Sequence, residues 1–196
     1  MLEHEFERAV QNERYRQQFL DLIVQRGLPP YIQKVTYSPV DLESRRKIFR
    51  ARMATLHHFL TQWYIPGTKS IIEVYPCSFS LESSSHQRVD DFLSTLEDHE
   101  YHHAREYYEH PSLIVRHRLV IGFQVRLRTL VGEENRFRNH VTAVDHALYE
   151  FENKLEIRAL ENQCRNFTNR NCSAEYRLAV ISELSVLDPT NLLVRR

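Results

Sequence analysis

The residues best suited to chemistry form one short run, His99-Glu100-Tyr101-His102-His103, with the spacing H-E-x-x-H. On a helix, His99 and His103 are four residues apart, so both imidazoles project from the same face. Two imidazoles at this spacing can bind one Zn²⁺ ion, and a glutamate beside the first can take a proton from a water molecule bound there. The motif therefore predicts a hydrolytic metal site with Glu100 as general base.

The motif continues the buried stripe of an amphipathic helix predicted from Val89 to Tyr107. Apolar and motif residues recur at steps of three and four along this stripe: Val89, Phe92, Leu93, Leu96, His99, Glu100, His103 and Tyr107. The opposite face is polar and is predicted to meet solvent: Gln87, Asp91, Ser94, Asp98, His102, Arg105 and Glu109. Imidazoles that face inward need partners, and a metal ion would supply one. The helix is expected to end near Glu109, before Pro111.

The elements around this helix are predicted to be mostly helical. Two strands are indicated by β-branched and aromatic residues, one from Tyr31 to Tyr37 and one from Ser70 to Pro76. A polar loop from Ser78 to Ser85 joins the second strand to the motif helix. The further helices, in chain order, are 3–26 closed by Gly27, 42 to about 63 capped by Asp41, 112–130, 139–163 and 174–187. The predicted fold class is α+β, mostly α, with a small sheet of two or three strands.

The helix from Asn139 to Gln163 carries candidates for a third ligand and for a hydrogen-bond donor. Asp145, Tyr149, Glu152 and Glu156 are spaced four, three and four residues apart, so they share one face. The two glutamates could each offer a carboxylate to the metal. Tyr149 could donate a hydrogen bond to an oxyanion that develops during catalysis.

The strand, the H-E-x-x-H helix and a later helical glutamate followed by alanine three residues on, Glu156 and Ala159, resemble the gluzincin-like zinc metallopeptidases, including the minigluzincins. The resemblance covers residues 70 to 161, about half the chain. It implies a zincin-like fold in which the H-E-x-x-H helix packs against further long helices. It also implies Zn²⁺ bound by His99, His103 and Glu156, with Glu152 as the alternative third ligand. Three protein ligands and a water would make an open catalytic site that hydrolyses a peptide or protein substrate.

Some residues depart from the family pattern. Glu97 and Asp98 stand where zincins usually carry apolar residues, and Glu106 stands where the metzincin branch needs a glycine. A ferritin-like di-metal bundle is disfavoured because Glu100 and His103 form the only E-x-x-H pair in the chain. The alternative that stays open is a non-catalytic helical interaction protein with an accidental or degenerate motif.

Other histidines are predicted to have structural or surface roles. His86, in the loop before the motif helix, is expected to cap that helix or to lie at the surface. His57 and His58 are expected to lie on the helix that Asp41 caps. His140 and His146 lie near the candidate third ligands, but a spacing of six residues does not place them on one face.

Length and composition predict one domain over residues 1–196, with a zincin-like core at about 31–165 and the helices 3–26 and 174–187 as additions. The 26 basic and 26 acidic residues give a net charge of zero, so no attraction to nucleic acid or to anionic membranes is indicated. No apolar run is long enough to span a bilayer, and the acidic start lacks a signal peptide. Three cysteines without C-x-x-C spacing predict reduced thiols and a cytoplasmic location. The oligomeric state is not indicated.

Overall fold

A computed structural model gives the architecture of the chain. The residues that it describes are 1–39, 59–62, 69–79, 86–113, 115–116, 119, 138–191 and 193–194.

Helices predominate among these residues, with one small sheet. The helices are α1 (Leu2–Gln11), α2 (Arg16–Gln25), α3 (Val89–Leu93), α4 (Tyr101–Glu109), α5 (Arg138–Asn166) and α6 (Ala174–Leu187). The strands are β1 (Ile32–Tyr37), β2 (Phe59–Gln62) and β3 (Ser70–Val74). A π-helical segment, Ser94–Glu100, joins α3 to α4, and we call the continuous helix from Val89 to Glu109 the motif helix. The prediction of a mostly α fold with a small sheet is confirmed.

The sheet has the strand order β1-β3-β2. β1 runs parallel to β3, and β2 runs antiparallel to it, with Phe59 opposite Val74 and Gln62 opposite Ile71. β3 therefore lies in the middle of the sheet, where its alternate residues are buried. β2 lies at the edge and contacts both the π segment and α4, so one edge of the sheet borders the motif helix.

An aromatic cluster joins the N-terminal helices to the sheet and to the motif helix. Phe6, Phe19, Phe79 and Phe92 are each at most 2% exposed, and all six pairs of their rings lie with centroids 5.2–6.3 Å apart. They belong to one buried cluster with side chains from α1, α2, β1, β3 and the motif helix. The two N-terminal helices therefore contribute directly to the hydrophobic core that supports the motif.

A second buried cluster lies between α5 and α6. It contains Leu160 from α5 and Tyr176, Val180 and Leu184 from α6, with Phe167 and Cys172 from the connection between them. Tyr176 also reaches the motif helix, because its hydroxyl lies 2.7 Å from the hydroxyl of Thr95. The motif helix is thus packed on two sides, by the sheet with its helices and by α5 and α6.

This double packing corrects the prediction that the polar face of the motif helix meets solvent. Asp91 and Ser94 are fully buried, and Asp98 is 7% exposed. The backbone N–H and the hydroxyl of Ser173 both donate to Asp91, at 2.8 and 2.9 Å. Carboxylates can be buried here because the connection between α5 and α6 supplies donors to them.

His86 is also corrected, since it is 1% exposed and neither caps the helix nor lies at the surface. Its Nε2 atom lies 2.8 Å from the hydroxyl of Thr95, and its Nδ1 atom lies 3.3 Å from the carbonyl oxygen of Ser78. Its ring packs beside Phe92 and Tyr176. The imidazole therefore links the segment after β3 to the motif helix.

Several other predicted elements are confirmed and two are wrong in part. The structure contains the predicted strands near 31–37 and 70–76, the helix end at Glu109, the long helix and the helix 174–187.

The prediction of a single helix over 3–26 is wrong. Asn12 has extended backbone and its side chain accepts from the N–H of Arg14, so α1 and α2 are separate helices. Gly27 follows α2 with φ +107°, as a C-terminal glycine cap requires. The helix from 42 to 63 is wrong at 59–62, where pairing with β3 forms a strand, and residues 40–58, with His57 and His58, lie outside the described residues.

None of the helices described by the structure combines the length and the hydrophobicity that crossing a bilayer requires.

Substituting Leu20→Ala should destabilise the whole fold, because Leu20 is fully buried in the cluster that supports the motif helix. Buried Leu→Ala changes cost about 2–5 kcal/mol of unfolding free energy. The matched control is Leu178→Ala on α6, where the leucine is 67% exposed and the change should stay within about 0.5 kcal/mol. The unfolding free energies of both variants are measured by urea denaturation, followed by circular dichroism. Equal stabilities of the two variants would contradict the packing described for α2.

Candidate metal centre

The H-E-x-x-H motif lies where the motif helix changes its winding. His99 and Glu100 end the π segment, and His103 lies in the first turn of α4. The N–H of Tyr101 donates to the carbonyl of Leu96, five residues earlier, as π-helical winding requires. Such π segments inside α-helices are frequent at functional sites. The apolar periodicity predicted the helix but could not reveal this wider turn.

Three potential metal ligands converge beside this turn. The Nε2 atoms of His99 and His103 lie 3.2 Å apart. Across the helix interface, Glu156 of α5 places Oε1 2.9 Å from Nε2 of His99 and Oε2 3.3 Å from Nε2 of His103. One ligand atom from each of the three residues lies within 4.8 Å of the others. We call this arrangement the ligand triangle, and it could hold a metal ion.

The ligand triangle is largely withdrawn from water. His99 is 7% exposed and His103 is 9% exposed, whereas the Glu156 side chain keeps 34% of its surface exposed. The N,N,O donor set suits a borderline cation such as a divalent first-row metal ion. The residues therefore fit a metal ion in both donor chemistry and spacing.

Charge coupling across the triangle is strong. Burial alone would lower the pKa of His99, but the carboxylate of Glu156 beside it outweighs burial and raises that pKa to about 9. Burial would raise the pKa of Glu156, but His99 and His103 hold it well below its usual range. Without a metal ion, the carboxylate of Glu156 and the imidazole of His99 stabilise each other's charged forms. A bound metal cation would replace the proton on His99, because a ligating imidazole is neutral.

Glu100 lies directly beside the triangle. It is 8% exposed, and its negative charge contributes to the raised pKa of His99. The structure therefore buries the Glu100 carboxylate close enough to His99 for the two charges to interact.

The imidazole rings are oriented by packing. The ring of Tyr107 stacks against that of His103, with centroids 6.4 Å apart and an angle of 17° between the planes. The Nδ1 atoms of His99 and His103 are both buried without a hydrogen-bond partner among the described residues. Metal-binding histidines usually donate from this nitrogen to an acceptor. Glu156 and the neighbouring rings supply the orientation here.

The other sequence candidates lie elsewhere. Glu152 is on α5 one turn before Glu156 and is not in the ligand triangle, so the structure favours Glu156 as third ligand. Tyr149 is 61% exposed, two helical turns before Glu156, and no contact among the described residues supports its role as an oxyanion donor. The side chain of His146 is 70% exposed and pairs with Glu150. The side chain of His140 lies outside the described residues.

The sequence analysis did not identify one charged residue near the ligand triangle. Glu183 of α6 couples electrostatically to His99 and Glu156, and burial together with the charge of Glu156 raises its pKa. No local pattern in α6 distinguishes Glu183 from a surface glutamate. Only the packing of α6 on α5 brings it near the triangle.

Comparison of the chain with protein-family models, with curated proteins and with solved structures found no match in any of the three. The candidate metal centre is therefore supported by the geometry of this chain alone.

Protein purified without a histidine tag should contain about one metal ion per chain, and His103→Ala should contain little, since it removes one of three ligands. The matched control is His146→Ala, which removes a histidine whose side chain is 70% exposed. Elemental analysis after dialysis measures the metal content of all three proteins. No metal in the wild type, even after incubation with excess Zn²⁺, would contradict the metal centre. Equal loss in both variants would place the metal elsewhere.

A second pair of variants distinguishes the two candidate glutamates. Glu156→Gln should weaken Zn²⁺ binding by more than the roughly 10–100-fold that loss of an outer-shell partner costs, because it removes a ligand charge. Glu152→Gln keeps the triangle and should bind Zn²⁺ like the wild type. Competition with a chromogenic chelator measures the affinities. The reverse ranking would show that Glu152 is the ligand.

Proposed function

We propose that this chain is a zinc-dependent peptidase in which His99, His103 and Glu156 bind the metal. The observation that carries the proposal is the size of the ligand triangle. Ligand atoms at about 2.0–2.1 Å from a tetrahedral zinc lie about 3.3 Å from one another. In this chain the two Nε2 atoms are 3.2 Å apart, and Glu156 approaches them with a different oxygen each, at 2.9 and 3.3 Å. One ligand atom from each residue lies within 4.8 Å of the others, so zinc would fit after the side chains move to bring a single Glu156 oxygen near both imidazoles.

Three protein ligands leave a fourth tetrahedral position for water or substrate, as in catalytic zinc sites. Zinc bound in the triangle would bring the pKa of a water molecule towards neutrality and polarise a carbonyl group. Glu100 would accept the proton of the attacking water and deliver it to the nitrogen of the leaving amine. The reaction would cleave a peptide bond and consume one water.

The sheet supports an extended peptide as the substrate. β2 is an antiparallel edge strand that contacts both halves of the motif helix. Its outer edge pairs with no other strand among the described residues. An extended peptide can bind such an edge through main-chain hydrogen bonds. A peptide bound along β2 would run beside the motif helix, within reach of a metal held by that helix.

The proposal includes a zincin-like fold. In the described residues, a strand precedes the motif helix and a later helix carries Glu156, the proposed third ligand, and this order supports the sequence resemblance. A cytoplasmic location and peptide or protein substrates belong to the same proposal.

A second candidate is a helical interaction protein in which the three residues are structural. The observation that favours it is that both histidines already contact the carboxylate of Glu156 directly without a metal, at 2.9 and 3.3 Å. Such a protein would fold and function without zinc. Metal content and turnover separate the two candidates.

Glu100→Gln should retain zinc and lose hydrolysis of an internally quenched peptide library by about 10²–10⁴-fold, because the amide cannot act as a base. Glu109→Gln, at the exposed end of α4, is the matched control and should hydrolyse peptides like the wild type. Fluorescence rates and zinc content are measured on the same samples. A zinc-loaded wild type with no turnover would support the second candidate, and full activity of Glu100→Gln would exclude Glu100 as the base.

A further inference from the structure

Glu97 and Asp98, the two acidic residues that depart from the zincin pattern, make a defined set of contacts. Arg170, just after α5, donates from Nε to Oδ2 of Asp98 at 2.5 Å and from Nη2 to Oε2 of Glu97 at 2.7 Å. Asn166 donates to Oδ1 of Asp98 at 3.2 Å. Asn162 donates to the main-chain carbonyl oxygen of Asp98 at 2.7 Å. We call these five residues the Asp98 clamp.

The Asp98 clamp is well shielded from solvent. The side chain of Asp98 is 10% exposed and that of Arg170 is 16% exposed. Charged hydrogen bonds shielded in this way are stronger and more directional than those of exposed pairs. By contrast, the ion pair from Arg158 of α5 to Glu106 of the motif helix involves an arginine side chain that is 57% exposed. The clamp is therefore better shielded from solvent than this pair.

The position of the clamp relates directly to the ligand triangle. Asp98 is the residue before His99, and Asn162 is six residues after Glu156 on the same continuous helix. Since a helix is stiff over two turns, fixing Asp98 against Asn162 fixes His99 against Glu156. Apolar packing alone is not directional and would let the two helices slide relative to each other. A metal site tolerates ligand displacements of only a few tenths of an ångström.

The clamp also acts on the π segment. Asp98 lies within Ser94–Glu100, and its carbonyl oxygen has two lone pairs, so it can accept from Asn162 in addition to a helical N–H. The same contact therefore holds the wider turn that ends at Glu100.

We propose that Asp98, held by Asn162, Asn166 and Arg170, is a positioning residue that sets the distance between His99 and Glu156 and thereby the metal affinity of the centre. This inference rests on the proposed metal site. It gives a function to the acidic pair that the family resemblance left unexplained. The clamp replaces an apolar contact by directional hydrogen bonds between the two ligand-bearing helices.

The test compares Zn²⁺ binding by the wild type, Asp98→Asn, Arg170→Gln and Asn162→Ala, by chelator competition well below the unfolding temperature of each. Each variant should bind Zn²⁺ about 10–100-fold more weakly, the usual effect of losing an outer-shell partner. Because the clamp acts as a unit, Asp98→Asn with Arg170→Gln should cost less than the sum of the single changes. Arg170→Lys, which keeps the charge, should recover part of the affinity.

The matched control is Arg165→Gln, which breaks an exposed pair with Glu161 within α5 and should change the affinity by less than about twofold. The visible spectrum of bound Co²⁺ is a second readout, since its intensity falls when coordination departs from tetrahedral. A purely structural clamp would lower the unfolding temperature of the variants but leave the affinity and the Co²⁺ spectrum unchanged.

The outcomes separate this inference from the proposed function. If the wild type binds Zn²⁺ and the folded variants match it within about threefold, the positioning role is overturned and the metal centre stands. If the wild type binds no Zn²⁺, both the positioning role of Asp98 and the proposed metal centre are overturned. If Asp98→Asn and Arg170→Gln do not fold, Asn162→Ala decides, because it removes a single neutral hydrogen bond and leaves the buried charges paired.

Discussion

The contact between Glu156 and the two imidazoles of the motif is the interaction on which the candidate site depends. It joins residues more than fifty positions apart and brings a carboxylate to 2.9 and 3.3 Å from the histidine nitrogens. These groups are costly to bury separately, and each becomes acceptable only because the other is present. The packing of α5 against the motif helix is therefore the precondition for the charge coupling and for metal binding.

The rest of the fold supports this contact from two sides. The aromatic cluster of α1, α2 and the sheet fixes the inner face of the motif helix, and α5 with α6 buries the face that bears Asp91 and Asp98. Ser173 and Arg170 satisfy those two carboxylates from the connection between α5 and α6. The helix is thus held by apolar packing on one face and by directional polar contacts on the other. This division of roles suits a site whose ligands come from two helices.

Periodicity and capping signals were sufficient to predict the motif helix, α5, α6 and two strands, because these features depend on local sequence. The candidate ligands followed from spacing and family resemblance, and the structure brings those three side chains together. The extended Asn12, strand β2, the π segment and the buried acidic face were missed. Each depends on pairing or packing with residues far away in the chain, such as Arg170 for Asp98, and no local pattern records such a partner. Tyr149 shares a predicted face with Glu156, but face alone could not reveal that it is exposed.

The most direct test of the central claim is the zinc anomalous difference density of a crystal grown with Zn²⁺. The account predicts one strong peak about 2.0–2.1 Å from the Nε2 atoms of His99 and His103 and from a carboxylate oxygen of Glu156, with a fourth position left for water. A crystal in which the triangle has no peak and the three side chains keep their direct contacts would contradict it. A peak bound by Glu152 in place of Glu156 would retain the metal but refute the ligand set.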